Sequence, residues 1–87
     1  MNPNADRALF QLAKAQEYQG DFGGAAESLN RAVSINPRVS SYFYVLATVN
    51  RKLGKMDESR AAMESFSKLE RESSELEQKR REFLKDK

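Results

Sequence analysis

The feature that most constrains the fold of this chain is an internal repeat. Gly20 and Gly54 lie 34 positions apart, and apolar residues on both sides of them match at the same offset. The matched pairs are Leu9 with Phe43, Leu12 with Leu46, Ala13 with Ala47, Ala15 with Val49, Phe22 with Met56, Leu29 with Met63, and Ile35 with Leu69. A period of this length predicts a stack of two copies of one small structural unit.

Each unit is predicted to consist of two helices joined by a turn. Apolar residues recur three and four positions apart before Gly20 and again after it, as expected for amphipathic helices. Gly20 can take the left-handed conformation that ends a helix, and Pro37 ends the second helix because it lacks an amide donor. The second unit repeats this plan around a Gly54-Lys55 turn, with a further helix from about Asp57. The sequence therefore predicts an all-α fold of helical hairpins.

Three short blocks in the first unit follow a known pattern. They are Leu9-x2-Leu12-Ala13, then Ala25-x3-Leu29, then Pro37. These blocks resemble the tetratricopeptide repeat (TPR), whose pattern is W-x2-L-G-x2-Y, then A-x3-F, then P. The resemblance covers roughly residues 6–69. It departs from the pattern at Gln16 and Asn50, which occupy the usual tyrosine position, and at Ser59, which replaces an alanine.

The resemblance implies a fragment of an α-solenoid with a long C-terminal helix. The predicted organisation is a single TPR-like domain over residues 1–87, with repeat 1 at about 6–39, repeat 2 at about 40–70 and a terminal helical extension at about 71–87. Short side chains are predicted where helices cross closely, at Ala13, Ala25, Ala32 and Ala47. Larger apolar side chains are predicted to fill the core beside these crossings, namely Leu9, Leu12, Leu29, Phe43, Leu46 and Met63.

The end of the second unit differs from the end of the first. Phe66 stands at the position of Ala32, and Arg71 stands at the position of Pro37. Because no Gly or Pro follows Asp57, a single continuous helix is favoured, although Ser74-x-x-Glu77 also fits the capping box of a separate helix. Apolar residues persist in this charged segment and are predicted to serve self-association or capping of the open repeat end; they are Phe66, Leu69, Leu76, Phe83 and Leu84.

Composition argues against catalysis. The chain has no histidine and no cysteine, so nucleophilic catalysis would lack its usual base, and no cofactor or metal is expected. Gly20-Asp21-Phe22-Gly23-Gly24 lacks the Gly-Lys-Ser/Thr ending of a phosphate loop. The formal net charge of +2 does not favour nucleic acid or membrane partners. Cytoplasm is the expected compartment, unless the chain is a fragment of a longer protein.

The functional surface is therefore expected to bind another protein. In proteins that this chain resembles, the first helix of each repeat lines a concave groove that receives a peptide or a helix. The resemblance places the candidate groove at Arg7, Phe10, Gln11, Lys14, Tyr44, Val45, Thr48, Arg51 and Lys52. Their positive charge suggests an acidic ligand. The alternative function is a homodimer formed through the long C-terminal helix.

Overall fold

Four helices make up residues 5–85, the part of the chain that the computed structural model describes. They are α1 (Ala5–Tyr18), α2 (Phe22–Ile35), α3 (Ser40–Lys52) and α4 (Met56–Lys85). Helices α1 and α2 form one hairpin, α3 and α4 form the second, and α2 packs against α3. The predicted all-α fold of TPR-like hairpins is confirmed. The ends of the predicted domain, residues 1–4 and 86–87, lie outside the described residues.

The turns inside the two hairpins are built alike. Gly20 and Gly54 have φ values of +86° and +80°, which residues with a Cβ atom rarely adopt. The amide of Asp21 donates to the Gln16 carbonyl and the amide of Lys55 donates to the Asn50 carbonyl, both at 2.8 Å. These bonds satisfy carbonyls that the helix ends would otherwise leave unpaired. The repeat seen in the sequence is thus also a repeat of backbone geometry.

The core lies where the predicted crossings bring the helices together. Ala13, Ala25, Ala32 and Ala47 are all fully or almost fully buried, as predicted. Leu29 and Leu46 are buried beside them, which confirms their assignment to the core. Leu9 and Phe43 are half-buried.

Two of the predicted core residues are exposed, and their assignment was wrong. Leu12 is 49% exposed and Met63 is 39% exposed, although their repeat equivalents Leu46 and Leu29 are buried. The difference is an end effect. In the described residues no hairpin precedes α1 to cover Leu12, whereas α2 packs against α3 beside Leu46. Likewise, the second hairpin covers Leu29, and no described helix covers Met63.

Two of the three departures from the TPR pattern, Gln16 and Ser59, are accommodated by hydrogen bonds. The Ser28 hydroxyl donates to Oε1 of Gln16 at 2.8 Å, which pairs the glutamine that replaces the usual tyrosine. The Ser59 hydroxyl donates to the Ala47 carbonyl at 2.7 Å, at the position where an alanine was expected. Both polar substitutions are therefore satisfied inside a hairpin at little net cost.

Helix α4 is continuous from Met56 to Lys85, as the absence of Gly and Pro favours. The capping box at Ser74 does not start a separate helix. Near the beginning of α3, Ser40 donates to Glu70 at 2.7 Å and Arg38 approaches Glu72 at 3.5 Å. The described residues after Glu72 are all exposed, so the last part of α4 extends beyond the two hairpins.

Candidate functional site

Helices α1 and α3 lie side by side and run parallel. Near their N-terminal ends, the Tyr42 hydroxyl donates to the Asp6 carboxylate at 2.7 Å, and the Phe10 and Tyr42 rings are 4.8 Å apart. Near their C-terminal ends, Lys52 approaches Glu17 at 3.8 Å. Contacts at both ends give the pair of first helices a fixed relative position, which a binding surface across them requires.

The hydrogen bond between Asp6 and Tyr42 is buried and changes the acidity of both groups. The bond from the Tyr42 hydroxyl lowers the pKa of Asp6 below its ordinary value of 3.8, with burial acting in the opposite direction. Burial, reinforced by the bond to Asp6, raises the pKa of Tyr42 to about 12. The pair is thus a carboxylate and a neutral phenol at neutral pH.

Lys52, a predicted groove residue, has partners within the chain. Its ammonium group lies 5.0 Å from the centre of the Phe22 ring and 3.8 Å from Oε2 of Glu17. The ammonium therefore connects the second repeat to the turn of the first. Less of its charge is available to a ligand than the sequence suggested.

The other predicted cations leave the α1–α3 pair with an unbalanced positive charge. Helix α1 contains two carboxylates, Asp6 and Glu17, and helix α3 contains none. Both carboxylates are engaged, by Tyr42 and Lys52. Within residues 5–85, the only ion pair that involves α1 or α3 is the one between Lys52 and Glu17. The cations outside it are Arg7, Lys14 and Arg51, all exposed.

The uncharged residues of the predicted groove have different surroundings. Phe10 and Val45 are half-buried and pack against the core, so each presents only part of its side chain to solvent. Lys14 lies over the Phe10 ring, 5.4 Å from its centre. Gln11 is exposed, and the hydroxyl of Thr48 donates to the Tyr44 carbonyl at 3.1 Å.

Three of the predicted groove residues, Tyr44, Thr48 and Arg51, also line a hollow at the C-terminal end of the stack. A hollow of ≈410 Å³ opens between α3 and α4, and we call it the open end. It is lined by Tyr44, Thr48 and Arg51 from α3 and by Met56, Arg60 and Met63 from α4. The contribution of α4 was missed from the sequence. The 34-residue offset could have found it, because Met63 is the counterpart of Leu29, which the second hairpin buries.

The residues predicted for self-association or capping fall into two groups. Phe66 and Leu69 are half-buried on the side of α4 that faces the hairpin, and the Phe66 ring lies 5.3 Å from that of Tyr44. The others are exposed on the part of α4 that extends beyond the hairpins, and they are Leu76, Phe83 and Leu84. We call residues 73–85 the tail.

Comparison with known protein families identifies the family of the first hairpin. Residues 6–39 match the family described as Tetratricopeptide repeat, over the same boundaries as α1, α2 and the Pro37 turn. This hairpin is a tetratricopeptide repeat. The second hairpin shares the period and the turn geometry of the first, and the four helices together are consistent with TPR-like repeats. A search of curated proteins gives no match to the chain.

TPRs are generally non-catalytic modules that mediate protein–protein interactions. Within residues 5–85, no group of three or more His, Cys, Asp or Glu side chains is arranged to hold a metal ion. In the same part of the chain, no helix combines the length and apolarity that crossing a bilayer requires.

Proposed function

We propose that this chain is a protein-interaction module that binds an acidic segment of a partner on the α1–α3 face. The module comprises repeat 1 at about 6–39, repeat 2 at about 40–70 and the extension from about 71. One observation carries the proposal: both carboxylates of the two first helices are engaged within the chain, and Arg7, Lys14 and Arg51 are not in any ion pair of the described residues.

The arrangement of these cations supports an elongated ligand. Arg7 and Lys14 are seven residues apart on α1, so they lie on one stripe of the helix about 10.5 Å apart. Arg51 belongs to the neighbouring helix, near the other end of the pair. A peptide or helix with acidic residues spaced along it can contact all three, whereas a single small anion cannot.

The α1–α3 face also has an aromatic part that can contact apolar residues of such a ligand. Phe10 is half-buried under Lys14, and Tyr44 is 51% exposed. These rings can supply contact area beside the charges, and burial of aromatic surface is where most interface energy usually resides. We therefore propose a ligand that combines glutamate or aspartate with a few apolar residues.

Binding can be measured by fluorescence anisotropy with a labelled peptide that alternates glutamate and leucine. We expect the Lys14→Glu, Arg51→Glu double variant to lower the affinity about tenfold, equivalent to about 1.4 kcal/mol. The loss should shrink as salt shortens the screening length to about 8 Å at physiological ionic strength. A peptide with glutamine in place of glutamate should bind the parent protein weakly.

The matched control reverses two cations elsewhere. Arg31 on α2 and Lys68 on α4 are exposed, so Arg31→Glu with Lys68→Glu makes the same change in net charge away from α1 and α3. Equal losses in the two double variants would show a general charge effect and would contradict a site on the α1–α3 face. Lys14→Glu alone adds a test at a position that does not line the open end.

A further inference from the structure

The second helices of the two hairpins, α2 and α4, both pack on α3 and leave a trough between them. A hollow of ≈320 Å³ forms one part of the trough, and a hollow of ≈250 Å³ adjoins it through Phe43 and Ser65, which line both. The trough follows α4 from Glu58 to Glu72, which corresponds to about 21 Å of helix. Within residues 5–85, none of the predicted groove residues lines it, so it is separate from the α1–α3 face.

Small and apolar side chains form most of the larger hollow. The floor is provided by α3, through the buried Leu46 and the half-buried Phe43. The apolar side chains from α2 and α4 are short, and they are Ala26, Val33, Ala61 and Ala62. Short side chains on both sides allow another helix to approach closely.

One polar side chain in the floor of the trough, that of Asn50, has no partner in the chain. The residue is only 6% exposed, and within residues 5–85 its side-chain amide makes no hydrogen bond. In the same part of the chain, every side-chain nitrogen or oxygen that is shielded from solvent has a hydrogen-bond partner. The Asn50 amide is therefore open to the space that this residue lines, which is the trough.

The first repeat shows which partner Asn50 lacks. Its counterpart at the offset of 34, Gln16, accepts a hydrogen bond of 2.8 Å from the Ser28 hydroxyl. In the second repeat, Ala62 stands at the position of Ser28 and has no hydroxyl to donate. The donor and the acceptor of the Asn50 amide are thus left for water or for a ligand.

We propose that the trough binds an amphipathic helix of a partner protein that places a glutamine side chain against Asn50. The backbone groups of α2, α3 and α4 are paired within these helices. An extended segment buried between them would leave its own amides and carbonyls without partners, whereas a helix pairs its own. An apolar side chain over Asn50 would displace water from the amide without replacing its hydrogen bonds, whereas a carboxamide can both donate to it and accept from it.

The charges along the trough do not select an acidic partner. The charged residues that line it are three basic and two acidic, namely Arg38, Lys55, Glu58, Lys68 and Glu72. Arg38 and Glu72 are paired with each other at 3.5 Å. Binding in the trough should therefore depend little on salt. The proposal goes beyond the binding of an acidic segment on the α1–α3 face and does not rest on it.

A series of synthetic helical peptides tests the proposal. Each peptide has about 14 residues, which match the length of the trough, no net charge, and a lactam bridge on its outer face to hold the helix. The other face is leucine and alanine, with glutamine at one of its positions in turn. By fluorescence anisotropy, one position of the glutamine should give about tenfold tighter binding than the all-apolar peptide. That peptide should also shift the nuclear magnetic resonance signals of the Asn50 side-chain NH2 group.

Two variants test the role of Asn50 in this preference. Asn50→Leu should remove the preference for glutamine and should bind the all-apolar peptide at least as tightly as the parent does. Asn50→Gln with Ala62→Ser transfers the pairing of Gln16 with Ser28 to the second repeat, so it too should lose the preference. Circular dichroism of both variants should match that of the parent.

A matched pair of substitutions tests the location of the site. Ala61 on α4 lines the trough and Ala15 on α1 does not, and both are exposed. Ala61→Glu should lower the affinity for the preferred peptide at least tenfold, because it places a charge on the apolar wall. Ala15→Glu makes the same chemical change outside the trough and should leave the affinity unchanged.

Four outcomes would overturn the proposal. They are no binding of any peptide at millimolar concentration, equal affinity of parent and Ala61→Glu, a glutamine preference that persists in Asn50→Leu, and tightest binding of the all-apolar peptide to the parent. The last would show that Asn50 pairs with water only. The Lys14→Glu, Arg51→Glu double variant should bind these peptides as the parent does. Failure of the acidic-ligand proposal is therefore distinguishable from failure of this one.

Discussion

The hydroxyl of Tyr42 donates a hydrogen bond of 2.7 Å to the buried carboxylate of Asp6, and this bond joins the first helix of one repeat to the first helix of the next. The Phe10 ring packs against the same tyrosine at 4.8 Å. Because Tyr42 touches the α1 helix through both its ring and its hydroxyl, it fixes the distance between the two helices that form the proposed binding face.

The Asp6–Tyr42 pair predicts how stability depends on pH. The pKa of Asp6 is lowered on folding, so its contribution to the free energy of unfolding is present above its ordinary pKa of 3.8 and is lost as pH falls through the lower folded value. The pKa of Tyr42 is raised from 10.0 to about 12, so its contribution is present below pH 10 and is lost as pH rises toward 12.

Urea unfolding across this pH range checks the assignment. Tyr42→Phe removes the hydroxyl, so it should lower stability at neutral pH and flatten the loss above pH 10. Tyr44→Phe is the control, because it removes the same hydroxyl from a tyrosine that is half exposed. An alkaline loss of stability that is the same in the parent and in Tyr42→Phe would contradict a role for this bond.

Leu46 and Leu12 occupy the same repeat position but should respond differently to truncation. Leu46→Ala should cost about 2–5 kcal/mol of unfolding free energy, because it leaves a cavity in the core. Leu12→Ala should cost less than about 1 kcal/mol, since that side chain is 49% exposed at the uncovered end of α1. Equal costs would mean that α1 is covered in solution by a surface that the two hairpins do not provide.

This pair also shows how far the sequence could be used to predict the fold. The period and the turn residues predicted the number of hairpins and the small residues at the crossings, because these depend on interactions within a unit or between equivalent units. The exposure of Leu12 and Met63 could not be predicted in the same way. A repeat pattern assumes a neighbour on each side, and within the described residues 5–85 the terminal positions have none.

The candidate site was less predictable than the fold for a related reason. Residue type and repeat position located the cations on α1 and α3, but not their partners. The contacts of Lys52 with Glu17 and Phe22 cross from one repeat to the next, so they depend on how the hairpins stack. The lining of the open end by α4 likewise requires the packing of both helices of the second hairpin.

Alanine substitutions at two glycines near the turns should change the stability of the fold in opposite directions. Gly54→Ala should destabilise the fold by about 1–2 kcal/mol, because φ is +80° there. Gly23→Ala should stabilise it by about 0.5–1 kcal/mol, because Gly23 lies within α2 and a Cβ at that position meets open space. Thermal unfolding of both variants gives the comparison. A stabilising Gly54→Ala would be incompatible with the left-handed turn.

The most direct test of the proposed binding face is nuclear magnetic resonance of the backbone amides during titration with the glutamate–leucine peptide. A ligand on the α1–α3 face should shift the amide signals of Arg7, Gln11 and Lys14 on α1 together with those of Thr48 and Arg51 on α3. The signals of Asn30 and Ser34, on the outer surface of α2, should stay in place. Shifts confined to α2, or no shifts at peptide concentrations that saturate the anisotropy signal, would contradict the account.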